Sequence, residues 1–177
     1  MPLGRNRMNN QDAKAFFKEY NGLEYHMFHD GTLKYKEYEK LHISPSVKEL
    51  WRQELIEEHF EKLEDPNYKE MYGIVVGRLI EVLFTVSTPV EPHLQRLIHC
   101  LSTAASTLDE LQKIRILEHM AGHRRDHKDG GIYLIRTFTG LEKELKECLD
   151  GLSDFRPSEE NLARYLRAVH ALERLIG

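Results

Sequence analysis

The sequence has little cysteine, no long apolar run and no strong charge of either sign. Only two of its 177 residues are cysteines, Cys100 and Cys148, and they lie far apart and outside any C-x-x-C pair. This spacing excludes a disulfide scaffold and a cysteine-based zinc finger, and it is typical of a reducing compartment. We therefore expect a cytoplasmic protein.

The longest apolar stretch is too short to cross a membrane. It runs from Ile74 to Val86 and is interrupted by Arg78 and Glu81, whereas a membrane-spanning helix needs about 20 residues. The first ten residues are polar and lack the apolar region of a signal peptide. The sequence therefore predicts no membrane partner.

The charge balance excludes a generally basic nucleic-acid binder. The 25 Lys and Arg residues are outnumbered by 29 Asp and Glu residues, which gives a formal net charge of -4. Nucleic acid is therefore not an expected partner of the chain as a whole. The balance is uneven, however, because Lys113 to Lys128 holds five bases against two acids.

Apolar residues recur at helical spacing along most of the chain. The segment from Pro45 is an example, with Pro at the first helical position, Ser46 and Glu49 as a capping box, and an apolar stripe from Val47 to Leu63. Six such segments and one or two weaker ones predict an all-α fold of six to eight amphipathic helices with short loops. Residues 1–7 are expected to form a flexible arm and residues 8–177 a single domain.

Two arrangements of these helices fit the sequence. Paired helix starts near residues 45, 89 and 131 are separated by 44 and 42 residues. This period matches the roughly 40–47 residues of two-helix HEAT-type repeats. Helices about 20 residues long give the same period in other folds. The prediction is therefore either a compact orthogonal bundle or a short HEAT-like α-α superhelix.

Local signals place the helix ends. Asn9 or Asn10 is expected to begin the first helix, and Asn21-Gly22 to end it. Thr88 with Glu91 and Thr107 with Glu110 form two further capping boxes, and Gly122 fits a helix C-terminus. The stretch from Leu23 to His29 fits two structures. It could be a short strand, paired in a hairpin with Thr32 to Tyr38, or a loop followed by a helix that Asp30 caps and that reaches Leu41. We favour the loop followed by the helix.

Two longer helices are predicted in the middle and near the end of the chain. The helix from Asn67 to Val86 is apolar on nearly all faces, so we expect it at the centre. Its residues Gly73 and Gly77, four apart, would let a neighbouring helix approach closely. Another amphipathic helix is predicted from Leu134 to Leu149, ending near Gly151.

Aromatic residues are concentrated near the N-terminus. Seven of the 16 lie between Phe16 and Tyr38, together with two histidines. Tyr and His offer both stacking surface and hydrogen bonds, as binding surfaces require. Tyr25, His26, Phe28 and His29 are therefore candidate binding residues, although short helices also need large side chains to bury enough area.

Three histidines form a candidate metal site. His119, His123 and His127 are spaced i, i+4, i+8, and two His at i and i+4 are a known zinc arrangement. On an unbroken helix they could share a transition metal. On a helical projection, however, His119 lies with Gln112 and Arg115, which predicts a solvated polar face. No cofactor is otherwise expected.

The segment that follows is the densest cationic run of the chain. His123, Arg124, Arg125 and Lys128 could contact a phosphate, an acidic protein surface or a nucleic-acid backbone. No aromatic platform alternates with these bases and no glycine-rich phosphate loop precedes a helix. A solvated surface loop explains the same residues.

No motif of nucleophilic, nucleotide-dependent or dinucleotide-dependent catalysis occurs in the chain. The leading hypothesis is therefore a non-enzymatic helical protein that acts by binding another protein or a second copy of itself. A metal- or ligand-binding role through His119, His123 and His127 is one alternative. An anion or nucleic-acid contact through residues 123–128 is the other.

Overall fold

The computed structural model describes residues 7–122, 134–135 and 140–176. Within these ranges it contains nine α-helices, one 3-10 helix and no strand, so the predicted all-α class is confirmed and the helix count exceeds the expected six to eight by one. The helices are α1 (Asn10–Glu19), α2 (Glu24–Asp30), α3 (Thr32–Glu39), α4 (Pro45–Glu64), the 3-10 helix (Pro66–Met71), α5 (Tyr72–Leu83), α6 (Glu91–Ala104), α7 (Glu110–Ala121), α8 (Glu142–Ser153) and α9 (Glu159–Ile176). No helix of the described ranges combines the length and the apolar character needed to cross a membrane.

The N-terminal region contains an additional helix. Residues from Glu24 form α2, so the favoured helix after Asp30 is confirmed as α3 but the segment before it is neither strand nor loop. Gly31, rather than Asp30, is the N-cap of α3, because Asp30 still belongs to α2. The two short helices pack against each other.

The beginning of α4 follows the sequence signal closely. Pro45 is its first residue, as predicted, and its buried face carries Trp51, Leu55 and Phe60. The capping residue is Ser44 instead of Ser46, since the backbone N–H of Val47 donates to Ser44 Oγ at 3.4 Å. The side chain of either serine could accept a hydrogen bond from a free backbone amide at the helix start. The structure uses Ser44, the residue just before Pro45.

The other two predicted capping boxes do not form. The N-cap of α6 is Val90, without a side-chain hydrogen bond, and Thr88 instead accepts from Gln53 Nε2 at 2.8 Å. Asp109 caps α7 by accepting from the backbone of Gln112 at 2.8 Å, in place of Thr107. Each helix therefore starts two residues later than its threonine predicted, at Glu91 and at Glu110.

The predicted central helix from Asn67 to Val86 is divided. Asp65 Oδ1 accepts from the backbone N–H of Asn67 at 2.9 Å and begins the 3-10 helix, so regular α-helix starts only at Tyr72. The remaining α5 is as buried as predicted, with nine of its twelve residues in the core. It packs against α4 on one side and α7 on the other.

The contact between α5 and α7 depends on small residues, as the Gly73 and Gly77 spacing predicted. A Cβ built on Gly73 would lie 2.7 Å from Arg115 Cβ, and one on Gly77 would lie 2.7 Å from His119 Nδ1. Gln112 is 4% exposed; its Oε1 accepts from the Gly73 N–H at 2.8 Å and its Nε2 donates to the Glu70 carbonyl at 2.6 Å. The expected solvated face of α7 is therefore wrong, because its polar side is the side that packs on α5.

A second buried polar contact lies in the C-terminal half of α5. Asn21 Nδ2 donates to the Arg78 carbonyl at 2.8 Å and to Glu81 Oε2 at 3.3 Å, which leaves Asn21 Oδ1 to accept from His59 Nε2 at 2.8 Å. His59 is 4% exposed, and in the part of the chain that the structure describes its Nδ1 has no hydrogen-bond partner. Burial, and then the charges of Arg78 and Lys62, lower the pKa of His59 to about 4. The imidazole is therefore neutral at physiological pH.

The turn that carries Asn21 forms as predicted. Helix α1 begins after the N-cap Asn9 and ends at Glu19, followed by Asn21 with φ of 55° and Gly22 with φ of 72°. Gly122 also ends α7 as expected, with φ of 73°.

The predicted helix from Leu134 to Leu149 is not continuous. Leu134 and Ile135 are helical and buried, but Gly140 has a φ of 106° and α8 begins only at Glu142. A positive φ of this size cannot be part of a right-handed helix, which explains the interruption. Helix α8 packs on α6, and α9 packs on α7.

Candidate binding site

The exposed rings of α2 lie close together on one short helix. Tyr25 is 69% exposed and Phe28 is 53% exposed. The rings of Tyr25 and His29 lie 4.3 Å apart, those of Tyr25 and His26 lie 5.5 Å apart, and those of Phe28 and His29 lie 5.3 Å apart. All four candidate residues are therefore brought together, and we call Tyr25, His26, Phe28 and His29 the aromatic face.

Further ring contacts connect the aromatic face to the core. Phe28 lies 5.7 Å from Tyr35, which lies 6.0 Å from the buried Tyr38, which in turn lies 6.0 Å from Phe16. Phe16 and Tyr38 are each 3% exposed. Because every ring rests on another, the exposed rings are supported by the core.

A pocket of about 570 Å³ opens beside the aromatic face, between the start of α2, the middle of α4 and the end of α5. Its lining includes Tyr25 and His26 of the aromatic face, together with Glu24, Arg52 and Thr85. Its volume falls within the roughly 300–1,000 Å³ of small-molecule sites. The sequence signals for Tyr25 and His26 thus lead to a concave site as well as to an exposed surface.

Arg52 gives the pocket a positive charge that is only loosely compensated. Its Nη1 lies 3.8 Å from Glu49 Oε2, which is longer than a hydrogen bond, and its buried Nε has no hydrogen-bond partner among the described residues. Glu49 itself accepts from Gln53 Nε2 at 3.1 Å and from the Ser87 backbone at 3.3 Å. The guanidinium carbon lies 5.5 Å from the centre of the Phe17 ring, which supports the guanidinium beside the pocket.

The acidic residue of the same pocket is already neutralised. Glu24 Oε1 forms an ion pair with Lys48 Nζ, and Lys48 also lies 5.6 Å from the centre of the Tyr38 ring. Burial, and then the charge of Glu24, raise the pKa of Tyr38 well above its usual value, so its hydroxyl remains neutral. The charge of Arg52 is therefore not cancelled by Glu24.

Arg52 was missed at the level of the sequence, although a signal was present. It lies four residues before Ile56 and seven before His59, so it shares a helical face with two buried residues. A charged residue on an otherwise buried stripe indicates either an internal ion pair or a polar site. The apolar positions of α4 predict its buried face and do not single out Arg52.

The other candidate sites fall mainly outside the described residues. His119 is described and packs on Gly77, whereas His123, Arg124, Arg125, His127 and Lys128 lie outside the ranges of the structure. The metal site at His119, His123 and His127 and the basic loop 123–128 therefore stay predictions. In the part of the chain that the structure covers, no three His, Cys, Asp or Glu side chains come together as a metal site.

Fold and site together define an all-helical protein with an exposed aromatic face beside a positively charged pocket. The sequence matches no protein-family model, no curated protein and no solved structure. The residues themselves are thus the basis for any functional statement.

Proposed function

We propose that this chain is a non-enzymatic helical protein that binds another protein through the aromatic face of α2. The observation that carries the proposal is that Tyr25 and Phe28 are 69% and 53% exposed while their rings rest on other rings. Large aromatic side chains are the residues on which protein interfaces most often depend. Tyr25, Phe28 and the two neighbouring histidines are the expected anchors.

Contacts with neighbouring rings make Tyr25 and Phe28 suitable anchors. Ordering a flexible side chain on binding costs about 0.5–1.5 kcal/mol. Tyr25 contacts His26 and His29, and Phe28 contacts His29 and Tyr35, so part of this ordering already exists before a partner arrives. A partner would gain buried area at a reduced entropic cost.

The remaining helices would serve as the scaffold for this face. A compact orthogonal bundle and a short HEAT-like superhelix would both hold α2 and α3 against α1 and α4. We place the protein in the cytoplasm, and its two free, buried cysteines, Cys100 and Cys148, are consistent with a reducing compartment.

The test compares two pairs of exposed apolar side chains. Tyr25→Ala with Phe28→Ala removes the aromatic face, and Leu162→Ala with Leu166→Ala is the matched control on α9, where the two leucines are 42% and 39% exposed. Native mass spectrometry and quantitative pull-down should recover a stoichiometric partner with the wild type and the α9 variant. Recovery with the α2 variant should fall at least about tenfold, as expected when interface anchors are truncated.

Three outcomes would contradict the proposal. One is a strictly monomeric wild type that recovers no stoichiometric partner under native extraction. Another is an equal loss of the partner in both double variants. The third is a mass that corresponds to a second copy of this chain, since the aromatic face would then serve self-association.

A further inference from the structure

We propose that the pocket beside the aromatic face binds the carboxylate of a small organic acid whose flat apolar part lies against Tyr25. This inference does not depend on the proposed protein contact, because it concerns the cavity between α2, α4 and α5 and a free small molecule. It rests on the geometry of Arg52, the neighbouring side chains and the size of the cavity.

The first step is the incomplete pairing of Arg52. A guanidinium carries five N–H donors in one plane, and a carboxylate can accept two of them side by side. The only ion pair of Arg52 within the described ranges is the contact with Glu49 at 3.8 Å, and its buried Nε donates to no acceptor. A partly desolvated charge of this kind is stabilised by an anion that enters the pocket.

The second step is the choice between anions. Lys48 neutralises Glu24, so a single negative charge is tolerated near Arg52. A phosphate dianion carries one negative charge more than Arg52 compensates and would need more donors than Arg52 and His26 offer. The pocket therefore favours a carboxylate over a phosphate.

The third step concerns the rest of the ligand. Tyr25 and His26 form one wall, and their rings lie 5.5 Å apart in an edge-to-face arrangement. An exposed aromatic wall next to a guanidinium suits a ligand that is flat and apolar on one side and charged at its end. The volume of about 570 Å³ admits such a molecule.

Benzoate is the probe, and the Arg52 Nε–H resonance in a nitrogen-proton correlation spectrum is the readout. We expect a saturable shift with benzoate and no saturable shift with benzamide, which has the same shape without the charge, or with inorganic phosphate. Arg52→Gln, followed through backbone amides of Gly22 and Leu23, should weaken benzoate binding at least about tenfold, because glutamine carries no charge and cannot offer the paired N–H donors of a guanidinium. Arg156→Gln, at an exposed arginine between α8 and α9, is the matched control and should leave the affinity unchanged.

A second variant protects the test against misfolding. Tyr25 is 69% exposed, so Tyr25→Ala should fold normally and should weaken benzoate binding severalfold by removing the apolar wall. The proposal is overturned if benzamide binds as well as benzoate, if phosphate binds more tightly, or if both pocket variants keep the wild-type affinity. A capped tripeptide with a central glutamate that binds more tightly than benzoate in an Arg52-dependent manner would also overturn it, since the carboxylate would then come from a protein side chain.

Discussion

Helix α5 and the pair α2–α3 use polar and aromatic side chains in opposite ways. Helix α5 is the most apolar helix of the described ranges, yet buried polar groups contact it at two places, Gln112 at Gly73 and Asn21, which is held by His59, at Arg78. Helices α2 and α3 have a weaker apolar pattern and leave Tyr25 and Phe28 exposed. Buried polar groups therefore contribute to the fold at α5, whereas exposed rings at α2 are free to serve binding.

The largest expected effect concerns His59 beside α5. Its pKa is about 4 in the folded protein against a usual 6.5, so between these values the unfolded chain binds a proton that the folded protein excludes. The free energy of unfolding should therefore fall as the pH falls through this window, by about 3 kcal/mol at its acid end. Urea unfolding at pH 7, 6, 5 and 4 measures the loss.

A non-titrating substitution separates His59 from the carboxylates. His59→Gln keeps a donor for Asn21 Oδ1, and it should remove most of this pH dependence relative to the wild type. The exposed His170 on α9 provides the control, and His170→Gln should preserve the wild-type profile. An unchanged profile in His59→Gln would show that the buried imidazole does not drive the loss of stability at acid pH.

The second effect tests the close approach of α5 and α7. Gly73→Ala places a Cβ 2.7 Å from Arg115 Cβ and 3.2 Å from the Gln112 carbonyl oxygen, atoms that can move only with the α7 backbone. We expect the free energy of unfolding to fall by about 2 kcal/mol. Thermal and urea unfolding provide the measurement.

Gly151 in α8 offers the matched control, because nothing lies within 4 Å of a Cβ built there. Gly151→Ala should raise the free energy of unfolding by about 0.5–1 kcal/mol through the better helix propensity of alanine. If Gly73→Ala were equally stabilising, the α5–α7 contact would be looser than the structure indicates.

A smaller effect is expected at Gly77. A Cβ there meets the imidazole of His119, which lies at the end of a side chain and can rotate away. Gly77→Ala should therefore cost less than about 1 kcal/mol, and His119→Ala in the same chain should remove that cost. A double-mutant cycle measures the coupling, and additive effects of the two substitutions would contradict direct contact between residues 77 and 119.

The sequence was sufficient for the helical class and for several helix ends, because apolar periodicity, Pro45, Asn9 and Gly122 act through their own neighbours. It was insufficient for α7, where the pattern predicted a solvated face for Gln112 and His119 and the structure buries Gln112. The partners of Gln112 are the Gly73 N–H and the Glu70 carbonyl, about 40 residues away, and backbone groups leave no trace in a side-chain pattern.

At the candidate site, too, the sequence did not reveal contacts between residues that are distant along the chain. Tyr25, His26, Phe28 and His29 were recognisable from their density in the sequence. Arg52 was not, because its relevance depends on α2 folding back over the middle of α4 beside Thr85. Local composition thus predicts which residues are suited to bind, and tertiary contacts decide what lies next to them.

The smallest expected effect on stability concerns the exposed rings of α2. Tyr25→Ala with Phe28→Ala should change the free energy of unfolding by less than about 0.5 kcal/mol per site, since both side chains are more than half exposed to solvent. Urea unfolding of this variant beside Leu162→Ala with Leu166→Ala provides the measurement. A loss of several kcal/mol would mean that the rings of α2 hold the fold together through Tyr35 and Tyr38. If the variant is about as stable as the wild type but no longer recovers the partner, the aromatic face contributes to binding and not to folding.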